Sequence, residues 1–176
     1  MIQKKKIEDD LLQNQYKYAA FLKGKTITLA GQVEEIYKYD IVIRLHGMIE
    51  SRIDVLYSDM NENIDIDELH RLGVKFVIAL PNSDKDKNKK NIYNFAEKNL
   101  KSNSPICFCL SHANIERVTE IIGLSNNQTS IILDILHYDI KRLYINTFYK
   151  DNLSLNDKEL KYIEQILKNN PRIAFI

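Results

Sequence analysis

Along the chain, short β-branched runs alternate with stretches whose apolar residues recur every three to four positions. In residues 1–23, Ile7, Leu11, Leu12, Tyr16, Ala19, Ala20 and Leu22 follow a near 3.6-residue period, which predicts an N-terminal helix closed by Gly24. Thr26–Ala30 reads as a short strand ending on Gly31, where a tight turn can form. The run Ile41-Val42-Ile43 turns polar at Arg44, and Ile53–Tyr57 repeats the strand pattern. Asp65–Leu72 predicts a helix with acids in its first turn and a stop at Gly73. Lys75–Pro81 is the clearest buried strand. A helix over about Ile92–Leu100 leads through Pro105 to the strand Ile106–Leu110, which ends at Ser111-His112.

Asn114–Ile122 reads as helical, and Gly123–Ser130 enters the apolar helix Ile131–Leu136. A strand over Lys141–Tyr149, a helix over Asp157–Lys168 and a last strand over Arg172–Ile176 complete the chain. Strands and helices alternate throughout, so the expected fold is α/β: a Rossmann-like open, mostly parallel sheet with helices on both faces. At 176 residues the chain holds one domain with a real core, spanning 1–176. No internal repeat is visible.

Charge changes this picture little. The 25 Lys and Arg residues against 24 Asp and Glu leave a net charge of +1, which argues against nucleic acid or an anionic membrane as a partner. Two lysine concentrations, Lys4-Lys5-Lys6 and the stretch Ser83–Asn91, read as a solvated tail and a solvated loop. No apolar run approaches the roughly 20 residues a membrane helix needs, and Met1–Lys6 lacks a signal-peptide core, so a cytoplasmic protein is expected. Cys107 and Cys109 would share one face of a strand as free thiols, too few ligands for zinc.

At the carboxyl edge of an open α/β sheet, where ligands bind, Arg44 offers a planar fork for carboxylate or phosphate and His46 a titratable ring. A surface ion pair and a strand-capping histidine account for the same two residues. One glycine and two acids in Gly31–Glu35 do not make a dinucleotide cradle, and the connection to Tyr39 is short for a parallel crossover. Asn127, Gln128, Thr129 and Ser130 stand at a helix start, where unpaired amides either bind an anion or are capped by these side chains. Asn156 with Glu159 three residues on has the form of a helix cap. His70 and His137 fall on predicted helices as surface or packing residues.

Three segments, in order, carry a resemblance. Gly24-Lys25-Thr26-Ile27-Thr28-Leu29-Ala30-Gly31 is followed by Tyr39-Asp40-Ile41-Val42-Ile43-Arg44-Leu45 and Asp54-Val55-Leu56-Tyr57. Asn126–Thr129 is followed by Lys141–Phe148, and Asn156–Leu160 by Asn170-Pro171-Arg172-Ile173. Together they resemble glycosyltransferase family 29, the sialyltransferase-like enzymes, in a divergent small form of bacterial or viral type; vertebrate members carry a membrane anchor and work in the Golgi. The resemblance implies transfer of a sugar, sialic acid or a related acid, from a CMP-linked nucleotide-sugar donor to a glycan or other acceptor hydroxyl with inversion. It implies no metal and no other cofactor. Gly31, Arg44, Asp54, Asn127, Gln128, Thr129 and Thr147 would contact the donor.

Departures from the family pattern bear on catalysis. Thr129 and Thr147 stand where the family has glycine, and Asn156 where it has the histidine that activates the acceptor. An amide takes no proton at neutral pH, so general-base work at this position is lost under the alignment. His46, His112 and Asp157 are the replacement candidates, with Asn156 retained as a site residue, and Asp54 a further carboxylate that burial could raise into a basic range. The alternative is a catalytically degenerate nucleotide- or partner-binding module of the same fold. An α/β domain unrelated to glycosyl transfer also fits the hydrophobic rhythm.

Overall fold

A computed structural model describes residues 2–29, 36–45, 52–116, 127–145, 161, 165–166 and 168–175. Its strands are β1 (Thr26–Leu29), β2 (Ile41–Leu45), β3 (Val55–Ser58), β4 (Phe76–Ala79), β5 (Cys107–Leu110), β6 (Arg142–Ile145) and β7 (Ile173–Phe175). They pair side by side in the order β5-β4-β3-β2-β1-β6-β7, every pair parallel. The chain builds outward from β1 to β5, then returns to the far side of β1 with β6. That reversal between β1 and β6 is the switch point at which open parallel sheets form their crevice.

The helices are α1 (Ile2–Leu22), α2 (Ile66–Arg71), α3 (Lys85–Leu100), α4 (His112–Glu116) and α5 (Asn127–Leu136), with one 3-10 turn at Ile36–Lys38. Residues 161, 165–166 and 168–169 are helical as well. Because successive strand residues point to opposite faces, the sheet divides its apolar residues into two layers. One joins Ile27, Ile41, Ile43, Val55, Tyr57 and Ile78 to Tyr18 and Leu22 of α1 and to Ile131, Ile132 and Ile135 of α5. The other joins Leu56, Val77, Ala79 and Phe108 to Leu69 of α2, to Ile92, Phe95 and Ala96 of α3, and to Ile7 and Leu11 of α1. Helices on both faces of a parallel sheet make the expected α/β architecture.

α1 feeds both layers because it runs along the outer strand. Asn14 Nδ2 donates to the Phe108 carbonyl at 3.0 Å and Gln15 Nε2 to the Leu110 carbonyl at 3.4 Å, so side-chain amides occupy acceptors that an edge strand otherwise leaves open. The chain turns out of α1 through Gly24 (φ 69°) and out of α2 through Gly73 (φ 75°), left-handed positions that suit glycine. At the opposite edge of the strands, Asp40 Oδ2 accepts from both the Thr26 amide and hydroxyl at 2.9 Å, tying the start of β1 to the start of β2. β1 and β2 are parallel neighbours despite their short connection.

Two expectations change. The lysine-rich stretch 83–91 is not a loop: α3 starts at Lys85, with Asp84 as its cap accepting from the Lys87 amide at 3.0 Å. Lysine is a good helix former, and Asn88 and Ile92 give the stretch a buried side. Lys4-Lys5-Lys6 lies within α1. The cysteines are free, Cys109 buried in the first layer and Cys107 packed against it. Among the described residues no helix is long and apolar enough to cross a membrane.

Candidate functional site

The chemistry the structure gathers lies in the layer under α5. Ile131-Ile132-Leu133-Asp134-Ile135-Leu136 is apolar except for one carboxylate, and Asp134 is only 2% exposed. A carboxylate taken this far out of water needs donors, and three converge on it. Tyr57 on β3 donates its hydroxyl to Asp134 Oδ2 at 2.5 Å. His112, immediately beyond β5 and Ser111, donates its backbone N–H to Oδ1 at 2.7 Å and places its ring Nδ1 2.8 Å from the same oxygen. Behind Tyr57, the Tyr18 hydroxyl from α1 lies 3.0 Å away. Four elements thus contribute one chain of polar groups from a sealed interior to a half-buried imidazole.

Electrostatics follow from that burial. Loss of water, then the Asp134 charge, pushes the hydroxyls of Tyr57 and Tyr18 well above the usual tyrosine range, so both stay protonated as donors. Burial and then the same carboxylate raise the Cys109 thiol, which makes it an inert packing group and not a nucleophile. Tyr138 is raised for the same two reasons. Its ring meets the His112 ring edge-on at 5.0 Å, while the His137 ring stacks on His112 at 4.3 Å with an interplanar angle of 9°. Aromatic walls on two sides and a carboxylate at Nδ1 hold the His112 ring. A carboxylate accepting from Nδ1–H puts the basic lone pair of the neutral imidazole on Nε2. Such a pair can take up and return a proton.

Of the residues expected from sequence, His112 stands in this cluster. Thr129 lies in the first turn of α5 with Asn127 and Gln128; it is fully buried, and its hydroxyl has no hydrogen-bond partner among the described residues. Arg44 is on β2, 5% exposed, and its Nε donates to the Arg52 carbonyl at 3.2 Å. Asp54 is not at the carboxyl edge. It precedes β3, where Oδ2 accepts from the Val42 amide at 2.8 Å and pairs with Arg52 at 2.9 Å. Arg52 also reaches the carbonyls of Tyr39 and Asp40, so Asp54 and Arg52 brace the entry to β2. Gly31, His46, Thr147, Asn156 and Asp157 lie outside the described residues. Among the described residues no group of three His, Cys, Asp or Glu is placed to hold a metal.

Asp134, Tyr57, Tyr18 and His137 are the members of the cluster that sequence reading did not assign. Asp134 carried a signal, since a single charge inside an apolar helix has to be partnered. Tyr57 ends the segment Asp54–Tyr57 but looked like strand packing. Tyr18 and His137 carried no signal beyond helix periodicity. No protein-family model matches this chain, and no curated protein matches it.

Proposed function

We propose that this chain is a divergent glycosyltransferase, independent of metal, that moves a sugar from a CMP-linked donor to an acceptor hydroxyl with inversion, and that His112 is its general base. The sugar is sialic acid or a related acid by the resemblance in sequence, and the setting is cytoplasmic. The observation that carries the reading is the Tyr57–Asp134–His112 chain: a half-buried ring beyond the carboxyl end of β5 with its Nδ1 2.8 Å from a buried carboxylate. It offers a candidate base for a chain in which the resemblance puts Asn156 in place of the family's histidine. In the step, His112 Nε2 takes the acceptor proton as the hydroxyl oxygen bonds to the anomeric carbon. The carbon–phosphate-oxygen bond breaks and CMP leaves with the electron pair. Asp134 offsets the imidazolium charge until the proton passes to solvent.

Asn156 also favours the second reading, a nucleotide-binding module without turnover. Calorimetry with CMP and a CMP-sugar, alongside donor consumption with simple glycan acceptors, separates the two. Turnover that falls by about 10²–10⁴ in His112→Gln, with CMP binding unchanged, supports the transferase. Binding without turnover in the parent chain assigns the module, and absence of CMP binding overturns both.

A further inference from the structure

A groove of about 610 Å³ opens on the other side of the segment that carries His112, between α1, the start of α3 and α4. Its volume falls in the range of about 300–1,000 Å³ typical of small-molecule sites, and it lies beyond the carboxyl ends of β4 and β5, the edge at which open parallel sheets take ligands. His112 does not line it, and no residue of the Tyr57–Asp134 chain does. Leu11, Leu12, Ile92, Leu110 and Ile115 form its apolar wall. Leu12 and Ile115 are 55% and 51% exposed, large apolar groups left in water at one concavity.

Charge does not select the occupant. Of the charged residues in the lining, Lys85 is already engaged, and the exposed Lys89 is matched by Glu8, which accepts from the Tyr93 hydroxyl at 2.6 Å. Two carboxamides in the same lining do select. Asn88 Nδ2 donates to the Asp59 carbonyl at 3.0 Å and the Leu80 carbonyl at 3.1 Å, and Asn114 Nδ2 to the Ala79 carbonyl at 2.8 Å. A backbone carbonyl only accepts, so each amide turns its nitrogen to the protein and leaves its oxygen for another donor. No described donor reaches either oxygen, and neither is among the polar atoms sealed from water. Asn88 as a whole is only 4% exposed, so the surface left on its oxygen opens at the groove it lines. A molecule that covers such acceptors without a donor takes their water and returns nothing.

From this pairing of an apolar wall with open acceptors we propose that the groove binds an uncharged apolar molecule whose polar end donates a hydrogen bond, as an alcohol, phenol or amide does. The donor meets Asn88 and Asn114 and the apolar body lies along Leu12 and Ile115. A carboxylate or phosphate sets acceptor against acceptor. An ammonium gives up its hydration to an apolar wall whose one carboxylate is already hydrogen-bonded. The site is separate from the proton-transfer cluster, and the inference stands whether or not sugar transfer does.

The test uses the full chain, ¹⁵N-labelled, titrated with octanol, octyl methyl ether, octanoate and octylammonium, which share one apolar body and differ at the polar end. The expected result with octanol is saturable shifts at the backbone amides of Leu12 and Ile115 and at the side-chain amides of Asn88 and Asn114. The ether and both ions bind about tenfold more weakly, the difference that one hydrogen bond makes. Leu12→Ser weakens octanol binding severalfold, and because the position is exposed, folding is not at stake. An ether or an ion that binds as well as octanol overturns the proposal. So do shifts that map elsewhere, the absence of saturation, or an unchanged affinity in Leu12→Ser.

Discussion

The two layers of this sheet bury polar groups in opposite ways. In the layer beneath α3, Asn99 closes on the backbone: its Nδ2 donates to the Ile106 carbonyl at 2.6 Å and its Oδ1 accepts from the Ile106 amide at 3.0 Å. Asn88 likewise spends its Nδ2 on the carbonyls of Leu80 and Asp59. These amides fix where strands and helices meet. In the layer beneath α5, Tyr18, Tyr57, Asp134 and His112 bond mainly to one another and end at a ring whose side chain is 22% exposed. Both patterns satisfy buried groups. Only the second connects a buried charge to a partly exposed group, which is why it is the candidate for chemistry.

The largest effect should come from removing the charge itself. Asp134→Ala leaves the Tyr57 hydroxyl and the His112 amide without their acceptor, and removing one partner from a buried charged network costs about 3–5 kcal/mol. Urea unfolding should record that loss, and the proposed transfer should vanish with it. Asn99→Ala removes a donor and an acceptor from the buried Ile106 backbone, at about 1–3 kcal/mol for each group left unsatisfied. At a temperature where the variant is folded, its turnover should equal that of the parent chain. A large loss of turnover there would erase the distinction between the layers.

How much of this contrast could be read beforehand depends on what each residue answers to. The alternation of strands and helices, the stops at Gly24 and Gly73, and the buried strand around Val77 were legible because local periodicity and backbone conformation set them. The α3 boundary was missed because lysines on an exposed helix surface look like a solvated loop until Asp84 is recognised as the cap. His112 was visible as a polar residue at a strand end. Its partners were not, because Tyr18, Tyr57 and Asp134 are 94, 55 and 22 positions away and meet it only when α1, β3 and α5 pack on one face. Asp54 matched a motif by spacing, yet register sets it beside Val42 at the amino edge.

Tyr57→Phe probes the contrast more gently, since it keeps the ring in the core and removes one hydroxyl. A hydrogen bond to a charged group contributes about 1.5–3 kcal/mol, and unfolding should show a loss near the upper end because the buried Tyr18 hydroxyl loses its partner as well. The more telling measurement is the pH–rate profile. Without the Tyr57 donor the Asp134 carboxylate is less stabilised and holds a proton on His112 more strongly. The rising limb of a base-catalysed rate should therefore move to higher pH. An unmoved limb with intact stability would detach Tyr57 from the site and leave His112 and Asp134 as a simple pair.

The smallest effect separates a buried carboxylate from an exposed one. Asp40 sits in water at the amino edge, and hydrogen bonds from the Thr26 amide and then the Thr26 hydroxyl lower its pKa. Its folded value lies below its unfolded one, about 3.9 for an aspartate. The stability it contributes is therefore full above that unfolded value and is lost as pH falls through the lowered folded value. Asp40→Asn keeps one acceptor for Thr26 but cannot titrate, so urea midpoints measured from pH 5 down to pH 3 should fall less steeply than in the parent chain. At pH 7 the variant should be only slightly less stable, because solvent screens the group, and its turnover should be unchanged. If Asp40→Asn instead abolished turnover with the fold intact, chemistry would have to extend to the amino edge, and the assignment of function to the α5 layer alone would fail.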